Sequence, residues 1–538
     1  MKIMRFTLFV LVSLLMPAAA SARTVEIKIS QCGKPLSDNI NNVIKTLGRN
    51  DDLIINIDKP GKYELDGTIE STCNTTIKGI SPSSTQLILK EGFRNGRTKF
   101  TDDTFIKVFG TEYHKVKVEI KNVAFTLADH RGVLWEDAAK HMVKIYHAGS
   151  VNVDNVEMRA WNAAITCLDL RNCSNVVVQN STFENYNNCL LGGCLWSRGN
   201  QENIVVRNNK FWKYGNDESL AIWGGNGDRD MVMKNVTVEG NEFFYENKKK
   251  SKKAFDIDVI INFGHDEYVN RKCDIDNIVF KDNTITNSAP IKRSVTFIFA
   301  ERAVLGSIDV ENNTIHNTSK CSTANGYTTD FTITTSGSSR GNITLSNNFI
   351  DNKAQILCDG TNSGYTFLVV KNGNTTLTGN TIQSDYPIAL VWTQGGNVNL
   401  NLFNNTASTL FGTALLKNPT AIEKVVINAR NNEFTGNTQI YCNNLEQLEL
   451  NFTNNTFNST DYHFFILEGA KKTSVVFEEN TINAYKGSGI MFANYSGKPY
   501  RFDRVQVSNN IFNGLTRKAI DDSFKSANRK TIQNNIYR

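Results

Sequence analysis

The sequence predicts an all-β fold, a single-stranded right-handed parallel β-helix (a solenoid of stacked rungs) with an N-terminal capping helix. Three observations predict it. A short asparagine-centred motif recurs along the chain at intervals of 23 to 32 residues where it is best defined, a period typical of solenoids. The segments beside each copy alternate and are β-branched, as in NVVVQN (175–180), NIVVRN (203–208) and NVTVEG (235–240), which favours strands over helices. Few prolines and no linker interrupt the run.

The motif is an apolar strand, one or two Asn, then a large apolar residue. It reads NVAF (122–125), NVEM (155–158), NSTF (180–183), NNKF (208–211) and NEF (241–243). It continues through NTI (283–285 and 313–315), NNF (347–349), NTI (380–382), a degenerate copy at Asn404–Asn405, NNEF (431–434), NNTF (454–457), NTI (480–482) and NNIF (509–512). Asn tolerates left-handed backbone at tight turns. Stacked at one turn in successive rungs, about 4.8 Å apart, such residues form a hydrogen-bonded ladder. The expectation is that Asn180, Asn208 or Asn209, and Asn241 share that turn. The N-x-S/T sequons are by-products of the ladder.

The ends read differently. Residues 1–22 form a signal peptide: Lys2 and Arg5, the apolar run Phe6–Met16, then AAASA, with cleavage near Ala20 or Ala22. The protein is therefore expected to be secreted or periplasmic. No stretch reaches the length of a transmembrane helix. Residues 23–70 are expected to hold the cap and first strands. Within them SDNINNVIKTL (37–47) begins with a Ser/Asp capping signal and sets Ile40, Val43, Ile44 and Leu47 on one helical face. Residues 71–515 form the β-helix and 516–538 a polar closing segment.

After the leader, 57 basic face 53 acidic residues. An excess this mild does not call for nucleic acid but is compatible with an anionic ligand. The ten cysteines show no metal-binding or compact disulfide spacing. Cys167, Cys189 and Cys194 lie in apolar runs, as small core residues or as bridges.

The capping helix, followed by LIINIDKPGKYEL (53–65) and NTTIKGI (74–80), resembles the opening of the pectate-lyase-like β-helix superfamily. That resemblance covers nearly the whole mature chain and implies a fold rather than a reaction. In that superfamily the Asn turn joins the second strand of a rung to the third, and the strand after the third borders the substrate groove. Here that strand falls in CLLGGCLW (189–196), DESLAIWGG (217–225) and FDIDVIINFG (255–264). Asp217, Glu218, Asp256 and Asp258 then occupy two consecutive rungs, on an exposed groove. The longest rung, Phe243 to Ile285, adds the loop KKKSKK (248–253) and GHDEY (264–268).

DESLAI (217–222) resembles the paired-acid strand of polygalacturonase-like glycoside hydrolases, with Glu218 in place of the second Asp. The next rung shows no Gly-His-Gly and no Arg-x-Lys pair follows further on, which excludes an ordinary member. Two of the four acids could still act as general acid and base. A pectate-type lyase would instead hold Ca²⁺ with Asp217, Glu218, Asp256 and Asp258, and use Lys253 or Arg293 as base. Lys252 and Arg302 would clamp the uronate, and Trp223 and Trp196 would stack on sugar rings. Each also has a plainer reading: solvated turn acids, a solvated lysine loop, core tryptophans. His141 and His147 bracket a strand and receive no role. The sequence thus points to a monomeric secreted enzyme cleaving an acidic polysaccharide, a lyase slightly favoured over a hydrolase. A non-catalytic β-helix adhesin, glycan-binding or surface-structural protein is the alternative.

Overall fold

Alternating β-branched residues become strands, and a left-handed residue three positions before a buried apolar anchor such as Phe183, Phe211 or Phe243 turns the chain. A computed structural model describes residues 22–538 except 90–103, 128–138, 162–163, 187–192, 215–217, 224–230, 247–258, 265–272, 289, 292–295, 319, 322–327, 336–341, 354, 357–364, 371–372, 385–388, 392–396, 408–423, 436–437, 442–445, 460–463, 469, 485–488, 493–501, 517–518 and 523–526. All of the described strand pairings are parallel and join equivalent strands of successive rungs, as in Ser174–Gln179 on Gln201–Arg207 and Thr182–Tyr186 on Lys210–Tyr214. Each rung contributes up to three strands, so the chain is a right-handed parallel β-helix, the hand that parallel crossovers adopt.

Three long sheets result. The first gathers Ile69–Ser71, Thr104–Phe109, Ala139–Tyr146, Ala164–Arg171, Leu195–Arg198, Leu220–Trp223, Val259–Gly264 and Thr296–Leu305, and runs on to Ala389–Val391. The second runs from Thr24–Lys28 to Lys530–Gln533, and the third from Gly61–Leu65 to Ile536–Tyr537. The interior between them is apolar, with Phe183, Phe211 and Phe243 stacked at centroid distances of 5.2 and 4.8 Å.

The asparagines sort into two adjacent columns at the turn from the second sheet to the third. Asn180, Asn208, Asn312, Asn347, Asn404, Asn431, Asn454 and Asn509 are left-handed, with φ between 52° and 60°; Gly240, Asp282, Gly379 and Glu479 take the same place. The next residue turns inward. From Asn209 through Asn241, Asn283, Asn313, Asn348 and Asn380 to Asn535, each amide joins its neighbour. Asn348, for example, donates to Asn380 Oδ1 (2.9 Å) and Val310 O (3.0 Å), while its Oδ1 accepts from the Asn313 backbone (2.9 Å). The ladder expectation is therefore right about the turn and one residue off for Asn180. Asn180 belongs to the outer column, and Ser181 occupies the ladder position below Asn209, whose Oδ1 accepts its N–H at 3.0 Å.

The cap is the helix Leu36–Ile44. It starts at Pro35 rather than at the Ser/Asp signal and has no side-chain cap. Ser37 instead docks the helix, its hydroxyl donating to Gly67 O (2.7 Å) and accepting from Gly67 N–H (3.0 Å). Ile40 is fully buried, while Val43, Ile44 and Leu47 pack at the rim of the core. At the other end, Lys530–Gln533 and Ile536–Tyr537 pair onto the preceding rung and Asn535 extends the ladder. The closing segment carries a rung of its own. Cys167 and Cys194 are buried free thiols on consecutive rungs; Cys189 lies outside the described residues.

Candidate functional site

The site grows from a pattern repeated on the first sheet. Aligned strands carry IKVF (106–109), VKIY (143–146), LDLR (168–171), LWSR (195–198) and LAIW (220–223). Their first and third positions are mostly apolar and buried, such as Val143 and Ile145 or Leu168 and Leu170. Alternation therefore sends the second and fourth positions to the other face. One of these columns reads Lys107, Lys144, Asp169, Trp196, Ala221, and the other Phe109, Tyr146, Arg171, Arg198, Trp223.

Asp169 is the hub of these columns. Its side chain is fully buried, and Arg198 donates to its Oδ1 from Nε (3.1 Å) and Nη2 (2.9 Å). Arg171 donates from Nε to Oδ2 (3.1 Å), and His141 Nε2 lies 3.4 Å from the same oxygen. Burial is the largest influence on Asp169 and opposes its charge, yet the surrounding cations hold its carboxyl below the ordinary range. Complete burial pushes His141 down to about 3, outweighing the attraction of the carboxylate. A neutral imidazole gives Asp169 no compensating charge, so Arg198 and Arg171 keep it ionised. Among the described residues, neither ring nitrogen of His141 makes a hydrogen bond.

Aromatic rings floor the cluster. Arg198 lies over Trp196 (4.7 Å to the centroid), Arg171 and Lys144 over Tyr146 (5.3 and 4.9 Å), and Lys107 over Phe109 (5.0 Å). Phe109 and Tyr146 stack at 5.2 Å. Trp196 meets His141 edge-on at 6.2 Å and folds back over Gly193, where any Cβ would collide with its indole nitrogen. The Leu195–Leu220 register, carried back two residues, stacks Glu218 on Gly193. Trp196 thus sits between His141 and the turn that carries Glu218.

Of the residues the sequence singled out, Glu218 and Trp196 are brought to one place, but neither lines an exposed groove: each is only 8% exposed. The reasons are local. Glu218 lies in the lead-in to a strand, one residue before Ser219, whose carbonyl accepts from Leu195 N (3.1 Å), and Gly193 leaves room for Trp196 to lie flat. Trp223 follows Arg198 in register, and Arg302 is on Thr296–Leu305; their side chains are not described. Asp217, Asp256, Asp258, Lys252, Lys253, Arg293 and His265 lie outside the described residues. So does all of the proposed Ca²⁺ set except Glu218, and the described residues hold no group of three or more such ligands.

The sequence reading missed Lys144, Asp169, Arg171, Arg198 and the place of His141. Aligning the strands by their apolar positions would have exposed them, because charges recur at the alternate positions of four successive rungs. Among the described residues, the buried charged side chains are Lys144 and Asp169 on this sheet, Glu218 in the lead-in to one of its strands, and Lys213 on the third sheet.

No protein-family model and no curated relative matches the chain. Solved structures similar to it include the catalytic unit of a GH87 α-1,3-glucanase from Streptomyces thermodiastaticus (13% identity, TM-score 0.41). That match covers 72% of this chain and 64% of the other, so the chain spans less than two thirds of the glucanase unit. A DFA-IIIase from Arthrobacter chlorophenolicus (11%, TM-score 0.38) is matched over 77% of this chain and 95% of that one. The tailspike of Pseudomonas phage phi297 (10%, TM-score 0.35) is matched over 77% and 72%. The strand register itself defines the architecture, a right-handed parallel β-helix.

Proposed function

We propose that the protein is exported and cleaves an anionic polysaccharide laid across the first sheet between residues 104 and 223, by elimination rather than hydrolysis. The observation that carries this reading is the buried charge of Lys144, Asp169 and Glu218 on or beside that sheet; among the described residues the other buried charge is Lys213, on the third sheet. Buried ions are costly in a scaffold and are kept where chemistry uses them. Lys144, Arg171 and Arg198 outnumber Asp169, and aromatic rings beside them suit stacking on sugars.

In an elimination, a base takes the proton α to the uronate carboxylate, the bond to the leaving oxygen breaks, and a double bond forms. The protein must stabilise charge that builds on the carboxylate. Arg198 and Arg171 are suited to that task, Lys253 and Arg293 are the proposed bases, and Lys252, Arg302 and Trp223 extend the binding surface. Ca²⁺ would supply further charge neutralisation. Glu218 would give one of the several oxygens that ion takes.

The test is incubation with a panel of uronic-acid polysaccharides, following the ultraviolet absorbance of unsaturated uronate together with reducing ends. A lyase raises both, a hydrolase only the second, and a binding protein neither. Arg198→Ala should lower turnover about a hundredfold. Full activity in that variant would remove the first sheet from the mechanism.

A further inference from the structure

We propose that Asp169 is a positioning residue that fixes Arg171 and Arg198 as one rigid clamp for a carboxylate group of the polymer. The inference rests on the reading that the first sheet binds a polyuronate, and it assigns the group recognised there. Arg171 and Arg198 are register partners on consecutive rungs, about 4.8 Å apart along the stack. Two long cations so placed repel each other and would splay if left alone.

Asp169 prevents that from beneath. It accepts the Nε–H of both side chains and one Nη2–H of Arg198. Tyr146 supports one face of the Arg171 guanidinium, and Trp196 supports one face of the Arg198 guanidinium. Each group is therefore held by one edge and one face. Among the described residues, the Nη groups of Arg171 and Nη1 of Arg198 have no hydrogen-bond partner. Arg171 is 31% exposed and Arg198 14%, whereas Asp169 has no exposure. Fixed planar donors of this kind match a planar carboxylate. The carboxylate of Asp169 is too deep to meet the ligand itself, so its effect reaches the ligand only through the two arginines.

Asp169→Asn separates positioning from bulk charge, because the two predict opposite signs. Removing a negative charge beside two cations would by itself tighten anion binding. Loss of positioning should instead weaken binding of polygalacturonate about tenfold, with binding of the carboxyl-reduced, neutral polymer unchanged. Asp169→Glu keeps the charge and displaces it by one methylene. It should weaken binding too, and it carries the test should the Asn variant not fold. A second readout needs no polymer: phenylglyoxal labelling of Arg171 and Arg198, followed by peptide mass spectrometry, should speed up in both variants. Unchanged or tighter polyuronate binding with unchanged labelling overturns the proposal. Should the wild-type protein bind no polyuronate, the functional reading falls, and the labelling rates alone decide whether Asp169 positions the pair.

Discussion

The rungs from residue 104 to 223 and those from 278 to 535 share one scaffold but bury different chemistry. In the later rungs the described buried polar residues are neutral, chiefly the asparagines of the ladder with a few Thr and Ser. Each ladder amide is satisfied twice over, by the next rung and by a strand carbonyl, as at Asn405 and Asn432. In the earlier rungs the ladder is only beginning, at Ser181 and Asn209, and the first sheet carries Lys144, Asp169 and Glu218 instead. Repetition makes a polar group cheap to bury, since each rung supplies the partner of the last. A buried charge has no such automatic partner and must find a specific one, as Asp169 finds Arg198 and Arg171.

The sharpest way to break this comparison is to damage the regular half. Asn348→Ala removes the acceptor of the Asn313 amide and backbone N–H and the side-chain donor to Val310 O, and leaves Asn380 Oδ1 only the backbone N–H of residue 348. Urea unfolding should show a loss of about 3–5 kcal/mol, with polysaccharide binding intact where the chain remains folded. A loss confined to binding would reverse the roles assigned to the two halves.

Gly193→Ala probes the irregular half. The added methyl must displace Trp196, so stability should fall by about 1–3 kcal/mol and polyuronate binding should fall with it. Binding that survives the displaced indole would show that Trp196 is packing alone.

Acid sensitivity should also map to the irregular half. His141 titrates at about 3 in the folded chain against 6.5 ordinarily, so below pH 6.5 the unfolded chain takes up a proton that the folded one refuses. Stability therefore falls on acidification, by about 2 kcal/mol between pH 6.5 and 5 from this group. Asp169, shifted downward, adds its own loss only as pH drops below its ordinary value of 3.8. His141→Gln should flatten the upper part of the profile in a melting series. A profile identical to wild type would mean that His141 is not the acid-sensitive group.

The smallest effect is expected from surface ion pairs in the regular half. Lys424 and Glu449 meet at 2.8 Å but are each about a third exposed, and Lys424→Ala should change stability by less than about 1 kcal/mol. A larger loss would mean that the regular half also depends on its charges.

What could be read from sequence follows from these differences. The second and third strands of each rung were legible because their rule is local: apolar alternation, a left-handed residue, an inward Asn and an anchor such as Phe211 or Phe243. First-sheet strands were also legible, since Leu195–Arg198, Leu220–Trp223 and Val259–Gly264 overlap the segments 189–196, 217–225 and 255–264, and Glu218 and Trp196 meet at Gly193. Their burial was not legible. It depends on the missing Cβ of Gly193 and on what stacks above and below, neither of which alternation encodes. His141 and Asp169 carry no signal within their own strands, where each looks ordinary.

By itself the sequence determined the repeat, the strand alternation, the turn chemistry and hence the parallel β-helix, because every rung obeys the same short-range rules of backbone conformation and apolar burial. Only the tertiary structure decided which charges meet. His141, Asp169 and Arg198 come from three different rungs, separated by loops of unequal length. Stacking brings them side by side, and the interior's low polarizability then makes their pairing obligatory and turns the separate side chains into a site.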